Sequence, residues 1–274
     1  MTMASKFTDQ TFLRTDQYRN ASNLNARVNI HRRFSTNPYG WFNWVFDILE
    51  TLPDPARLLE LGSGPGYLWK DCIERIPAGW NITLSDLSDG MLDAAWRNLV
   101  VTGRAFKFEQ MDAQSVPYPD GTFDIVLANY MLYHVPDRPK ALAEIRRVLK
   151  PGGYLLAATA GQGHLAELNH WLKKASPDKD FIPFNNPFNL DNGLEQIKPF
   201  FSSVEIKRYD DNLRVTEIEP LMAYIFSTIK ANDIPESALA EIRQELEDML
   251  SQKGEIFITK DAGLFLARKC EKLP

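Results

Sequence analysis

Residues 58–68 read LLELGSGPGYL. An apolar run ends in Glu60, and Gly62, Gly64 and Gly66 then alternate through a turn. A buried strand that runs into alternating glycines can pass to a helix and still let a nucleotide approach the backbone. A side chain at these positions would crowd the ligand or forbid the turn. The spacing is Gly-x-Gly-x-Gly, with Tyr67 in the sixth place. The dinucleotide fingerprint is Gly-x-Gly-x-x-Gly, so hydride transfer with NAD is disfavoured. Glycine-rich turns also occur as plain turns, and the loop alone does not decide. Its partner is Asp86, at the end of the short apolar segment Asn81–Leu87. That is near the roughly 20-residue offset at which a carboxylate receives a ribose. Ser88 and Asp89 are better placed to cap the helix starting near Gly90, which frees Asp86.

Four blocks extend the pattern: ELGSGPGYL, LSDLSDGMLDAA, QMDAQSVPYPDGTFDIVLANYMLYHV and EIRRVLKPGGYLLAAT. In order and spacing, from about Leu58 to Thr159, they resemble the class I S-adenosylmethionine-dependent methyltransferases. The resemblance is greatest to the small-molecule branch that includes the ubiquinone and menaquinone enzymes, and it covers the central half of the chain. It implies S-adenosyl-L-methionine as cofactor and S-adenosyl-L-homocysteine as product. It assigns Glu60 and the loop of Gly62, Gly64 and Gly66 to the methionine end. Asp86 would take the ribose hydroxyls and Leu87 the adenine face. Asp112 and Ala113 would read the adenine edge. Asn129 would place a backbone carbonyl near the cofactor's amino group. His134 falls in the His-Val ending of its segment.

The elements that must position these residues are legible as alternation. Strands read at about 56–61, 81–86, 105–111, 123–129 and 154–160, and helices at 66–76, 89–100 and 137–149. Short apolar strands alternating with amphipathic helices imply a parallel sheet. Strands near 204–208 and 264–268 would be the antiparallel sixth and seventh. The expected fold is therefore α/β: a Rossmann-like, seven-stranded, mostly parallel sheet with helices on both faces. Residues 256–269 read as a hairpin turning at 261–263. Residues 1–53 would form an N-terminal lid and first helix, with Trp41, Phe42, Trp44, Val45, Ile48 and Leu49 at helical spacing. Residues 54–274 would form the methyltransferase domain, with cap insertions at about 161–189 and 217–253. Tyr18, Arg33 and Tyr39 are lid candidates, because a solvated tail has few aromatics, and Tyr18 and Arg33 would reach the cofactor from the lid.

Composition narrows the partners. The formal charge is −5, with no dense basic block, which argues against nucleic acid. No run of about 18 apolar residues suggests a membrane span, and the start lacks a basic-then-apolar leader pattern. Cys72 and Cys270 stand far apart, which fits a reducing cytoplasm and no metal site. A homodimer is compatible with the sequence. The acceptor would be a small molecule, held in line with the departing sulfur by Tyr130 and Tyr133. A base is needed only if the acceptor must lose a proton. His134, His164 and His170 are the candidates, and His164 leads because it follows 161–163 just past the fifth strand. A non-catalytic cofactor-binding module and a quinone-precursor C-methyltransferase are the alternatives.

Overall fold

The computed structural model describes residues 8–175, 186–228 and 235–270. The strands are β1 (Ala56–Leu61), β2 (Trp80–Asp86), β3 (Lys107–Gln110), β4 (Phe123–Asn129), β5 (Leu149–Ala160), β6 (Ser203–Tyr209), β7 (Asn212–Val215), β8 (Ile256–Thr259) and β9 (Ala262–Arg268). A turn at Gln10–Phe12 leads into a π-turn, Leu13–Gln17, ahead of α1 (Ser22–Phe34) and α2 (Trp41–Leu49). Then come α3 (Tyr67–Asp71), α4 (Asp89–Leu99), α5 (Arg138–Val148), α6 (Ala166–Ala175), α7 (Gly193–Ile197), α8 (Ile218–Thr228) and α9 (Glu236–Lys253).

Seven strands form one sheet in the order β3-β2-β1-β4-β5-β9-β6. Each of β1–β5 pairs parallel with its neighbours among them, and β9 pairs antiparallel with both β5 and β6. Only β9 is therefore reversed. The expectation of two antiparallel strands is corrected, because β6 runs with the central five. The expected hairpin is corrected too. β8 leaves the main sheet to pair with β7, a strand the sequence reading missed, and β9 pairs elsewhere. The residues between them are bound to other segments: Gly161 N–H donates to the Asp261 carbonyl at 2.9 Å.

Both sheet faces are covered, as near-continuous apolar strands require. Leu59, Leu61, Val126 and Ala128 pack against Ala141, Leu142, Ile145 and Val148 of α5. Leu58, Ile82, Leu84 and Leu127 pack against Val45, Phe46 and Leu49 of α2 and Trp69 of α3. A third core stands beside the sheet. Ile30 and Phe34 of α1 are buried there with Trp171, Leu213, Tyr224, Ile242, Leu246 and Ile258. The N-terminal helix thus shares its core with the C-terminal insertions. Three expectations fall partly outside the described residues: the very start of the lid (1–7), part of the first insertion (176–185) and part of the second (229–234).

Asp211 joins these pieces. Its buried carboxylate accepts from Ser35 Oγ (2.8 Å) and the Asn37 amide (3.1 Å), and it pairs with Lys260 Nζ just beyond β8. Burial pushes this carboxyl up, but Lys260 and the Ser35 and Asn37 bonds outweigh it and hold the carboxyl low. Asp211→Ala should cost about 3–5 kcal/mol, because it leaves a buried ammonium unpaired. Urea unfolding measures the loss. A change below about 1 kcal/mol would show that this junction does not carry stability.

Candidate active site

One cavity of about 610 Å³ opens at the carboxyl ends of β1, β2 and β4, where open α/β sheets bind ligands. On one side lies the turn after β1. Gly62, Gly64 and Gly66 have φ values of 66°, 54° and 71°. The three glycines do different work. A Cβ on Gly66 would lie 2.9 Å from Leu99 Cδ1, and Gly66 does not line the cavity. Its place is to let α3 pack on α4, which corrects its assignment to the ligand. A Cβ on Gly62 would strike Met131 Cβ at 2.8 Å. Only Gly64 is near nothing but one side chain, Leu24 Cδ2 at 3.3 Å.

Asp86 ends β2 opposite this turn. One carboxylate oxygen accepts the Gly64 amide at 3.0 Å and the other the Ser88 amide at 2.9 Å. Burial pushes the carboxyl up to about 6 against those bonds. Each oxygen keeps a lone pair for a ligand hydroxyl. Ser88 caps α4, as expected.

Glu60 is buried on β1, and its oxygens are taken by Trp69 Nε1 (2.5 Å) and Asn129 Nδ2 (3.0 Å). The Asn129 side chain is thus fixed with its Oδ1 buried and unpartnered, as is Ser63 Oγ. Both residues line the cavity. The resemblance pointed to the Asn129 carbonyl of the backbone, whereas the orphaned acceptor here is the side chain. Asp112 and Ala113 line the same side, beside Leu87. Asp112 accepts from Gln10 Nε2 (2.8 Å) and Gln114 Nε2 (3.0 Å).

The N-terminal segment crosses the opening. Ser88 Oγ donates to the Tyr18 carbonyl (2.7 Å), and the Tyr18 hydroxyl shares a 2.8 Å hydrogen bond with His134 Nε2. A Cβ on Gly90 would lie 2.0 Å from the Arg19 carbonyl oxygen, so backbone rests on backbone there. Tyr67 donates to Asn25, and Arg32 pairs with Asp71 at 2.6 Å. Along α1, Leu24, Arg27, Val28 and His31 face the cavity at helical spacing. Arg33 is on another face and pairs with Glu217, which corrects its assignment to the cofactor. Tyr39 bonds Asp47 outside the cavity, and His170 is exposed on α6.

The far wall is aromatic. Tyr130 takes φ 52°, a strained left-handed position for a bulky residue, which sets its ring 5.4 Å from Trp41. Tyr133, Tyr224, His31 and His164 complete this wall. His164 Nδ1 accepts the Asp261 amide at 3.2 Å. Its proton is therefore on Nε2, the nitrogen left to meet a ligand. Burial and the Lys260 charge push it down to about 3. That geometry makes His164 a hydrogen-bond donor and corrects its reading as a base. Sequence reasoning did not assign Gln10, Arg27, His31 or Tyr224 to the site. The spacing of 24, 27, 28 and 31 on α1 was the available signal.

Burial pushes Glu60 up to about 7 from 4.5. Between those values the folded protein holds a proton that the unfolded chain releases. The resulting stability is complete below about pH 4.5 and is lost as pH rises through about 7. The loss is on the order of 3 kcal/mol. Glu60→Gln should flatten that part of the profile, measured by denaturation between pH 4.5 and 8. An unchanged slope in the variant would assign the effect elsewhere.

Residues 59–157 match a methyltransferase domain family. The chain is 38% identical over 112 residues to a malonyl-[acyl-carrier protein] O-methyltransferase of Serratia marcescens, covering 41% of each protein. It is 33% identical over 132 residues to the ubiquinone/menaquinone biosynthesis C-methyltransferase UbiE of Cellvibrio japonicus, covering 47% of this chain and 51% of that one. The chain thus spans about half the length of these curated relatives, or less. The crystal structure of YcgJ from Bacillus subtilis superposes with a TM-score of 0.60 at 19% identity, covering 84% of this chain and 98% of that one, and shows the shared fold. Over this central span the chain is similar to methyltransferases, and the fold it builds around that span is theirs.

Proposed function

We propose that this protein binds S-adenosylmethionine against the β1–β2 side of the cavity and methylates a small molecule held against the aromatic wall. The observation that carries this reading is the Asp86 carboxylate. It is fixed by the Gly64 and Ser88 amides and still has a lone pair free on each oxygen. The residues present fit the cofactor. Asp86 suits its ribose hydroxyls, and Leu87 and Met111 suit the faces of its adenine. The orphaned Asn129 Oδ1 and Ser63 Oγ suit its polar methionine end. Asp112 is a ready acceptor for an amino group, since it already accepts amide N–H groups from Gln10 and Gln114.

When bound, the cofactor supplies a methyl group already activated by its sulfonium. The protein's task is then orientation and exclusion of water. Tyr130, Tyr133 and Trp41 would hold the acceptor, and His164 Nε2–H would donate to it. The histidines of this wall, His31 and His164, are held neutral by burial and nearby positive charge. Neither is a base near neutral pH, so neither takes a proton from the acceptor. The wall's residues at 18–31, 164, 224 and 260 lie outside the matched span of 59–157. The acceptors named for the relatives therefore do not transfer to this chain.

Asp86→Ala should weaken S-adenosylmethionine binding by about 1.5–3 kcal/mol, tenfold to more than a hundredfold, with folding retained. Calorimetric titration of both proteins measures it. Failure of the wild-type protein to bind S-adenosylmethionine or S-adenosylhomocysteine would overturn the function. An unchanged affinity in the variant would overturn the role of Asp86. Formation of S-adenosylhomocysteine with a panel of small acceptors separates an enzyme from a binding module.

The segment over the cavity acts as a lid in this reading. S-adenosylhomocysteine should then slow tryptic cutting at Arg14, Arg19 and Arg27, because a closing segment is locally weak until a ligand orders it. Gly90→Ala should restore cutting, since its methyl would meet the Arg19 carbonyl. Equal cutting with and without ligand would show that the segment does not close.

A further inference from the structure

The aromatic wall holds one buried cation that no carboxylate among the described residues answers. Arg27 enters the cavity from α1 between Tyr18, Tyr133 and Tyr224. Its Nε donates to the Asn23 carbonyl at 3.3 Å, and its guanidinium lies 5.4 Å from the centre of the Tyr18 ring. Nη2 is shut off from solvent and has no partner. Among the described residues, no carboxylate pairs with it. The acids on the cavity wall are already engaged. Asp71 takes Arg32, and Asp211 takes Lys260. Asp86 holds two amides, Asp112 holds Gln10 and Gln114, and Glu60 holds Trp69 and Asn129.

A buried cation without a counter-charge is costly unless a ligand supplies one. What surrounds Arg27 suits an anion. The phenols of Tyr133 and Tyr224 stay protonated and can donate, and burial pushes Tyr224 up to about 12. The count of charges sets the kind of anion. Arg14 also lines the cavity but is exposed to solvent, and Lys260 is already neutralised by Asp211, so Arg27 is the one buried cation left and a single negative charge balances it. The neighbouring surface is apolar and aromatic: Val28, Trp41, Phe42 and Tyr130.

Resting on the methyltransferase reading above, we infer that Arg27 anchors a carboxylate of the methyl acceptor, an acid with an apolar or aromatic body. A planar guanidinium is the side chain best matched to a carboxylate.

Benzoate and hexanoate, each against its neutral amide, are titrated into the protein with and without S-adenosylhomocysteine. At least one acid should bind tenfold or more tighter than its amide, and Arg27→Met should abolish that preference while Arg27→Lys keeps part of it. The melting temperature of the ligand-free Arg27→Met protein should stay level or rise, since the change keeps the packing and removes an unanswered charge. A fall of several degrees would make Arg27 a structural residue and overturn the inference. Equal binding of acids and amides would overturn it too. Tighter binding of phenyl phosphate than of benzoate would overturn the choice of carboxylate. Loss of S-adenosylhomocysteine affinity in Arg27→Met, with 5′-methylthioadenosine unaffected, would move the charge to the cofactor's own carboxylate and overturn the acceptor assignment. Failure of the wild-type protein to bind S-adenosylhomocysteine would count against the methyltransferase reading alone, because the acids are also titrated without it.

Discussion

The hydrogen bond from the Gly64 amide to the Asp86 carboxylate joins the turn after β1 to the end of β2. Both elements could otherwise hold their places in the sheet and still leave the ligand face undefined. With the bond made, the turn is fixed against the second strand. A second bond from Ser88 then fixes the start of α4 to the same carboxylate. Burying that carboxylate is unfavourable, as its upward push to about 6 records. Two backbone amides offset the cost, and the lone pairs that remain are what a ribose would use. The group that orders the site is thus also the one proposed to meet the ligand.

The opposite wall depends on a different construction. α1 comes from the N-terminus, β7 and α8 from beyond residue 211, and β8 from near the C-terminus, yet all share one core. Asp211 fastens the link after α1 to Lys260, while the Ser35–Leu213 bridge and the Thr36 amide donating to the Asn212 carbonyl tie the same link to β7. A segment that crosses the cavity is therefore anchored at its far end on a rigid body, and its near end rests on weaker points. Those points are Gln10 on Asp112, Tyr18 on His134 and Ser88, and the close pass over Gly90. An element tethered in this way can lift at one end without unfolding the core that holds the other.

What the sequence disclosed follows from range. β1 and β4 begin and end where the alternation places them, and β2, α4 and α5 differ by a residue at most, because apolar periodicity and caps such as Ser88 and Asp137 are local. The side of the cavity proposed for the cofactor was legible for the same reason, since Gly64, Asp86, Asp112 and Asn129 lie at or just past the ends of β1, β2, β3 and β4. β7 and β8 are four residues each, and β8 looked like half of a hairpin with β9. Their pairing joins residues more than forty positions apart, which no local signal encodes. The arginines of α1 show the same limit in one helix. Arg33 and Arg27 are alike in type, and only the phase set by Ile30 and Phe34 in the third core decides which reaches the cavity. His164 was placed correctly at the edge of β5, but the Asp261 amide that takes its Nδ1 comes from a distant segment and reverses its chemistry.

These two constructions give the cavity an electrical direction. On the β1–β2 side the groups left over are acceptors: the free lone pairs of Asp86, Asn129 Oδ1 and the lone pairs of Ser63 Oγ. On the side built from α1 and the C-terminal segments most of the groups left over are donors: Arg27 Nη2, the phenols of Tyr133 and Tyr224, and His164 Nε2–H, beside the unpartnered His31 Nδ1, whose role follows the tautomer of that ring. In a site of low dielectric such leftovers are strongly felt, so each half selects for the opposite character in what it binds. A cofactor that presents hydroxyls, an ammonium and a sulfonium matches the acceptor half. A molecule that presents an anion and an apolar body matches the donor half. Methyl transfer needs the two held face to face, and a cavity polarised along its length orients both partners before any bond is broken.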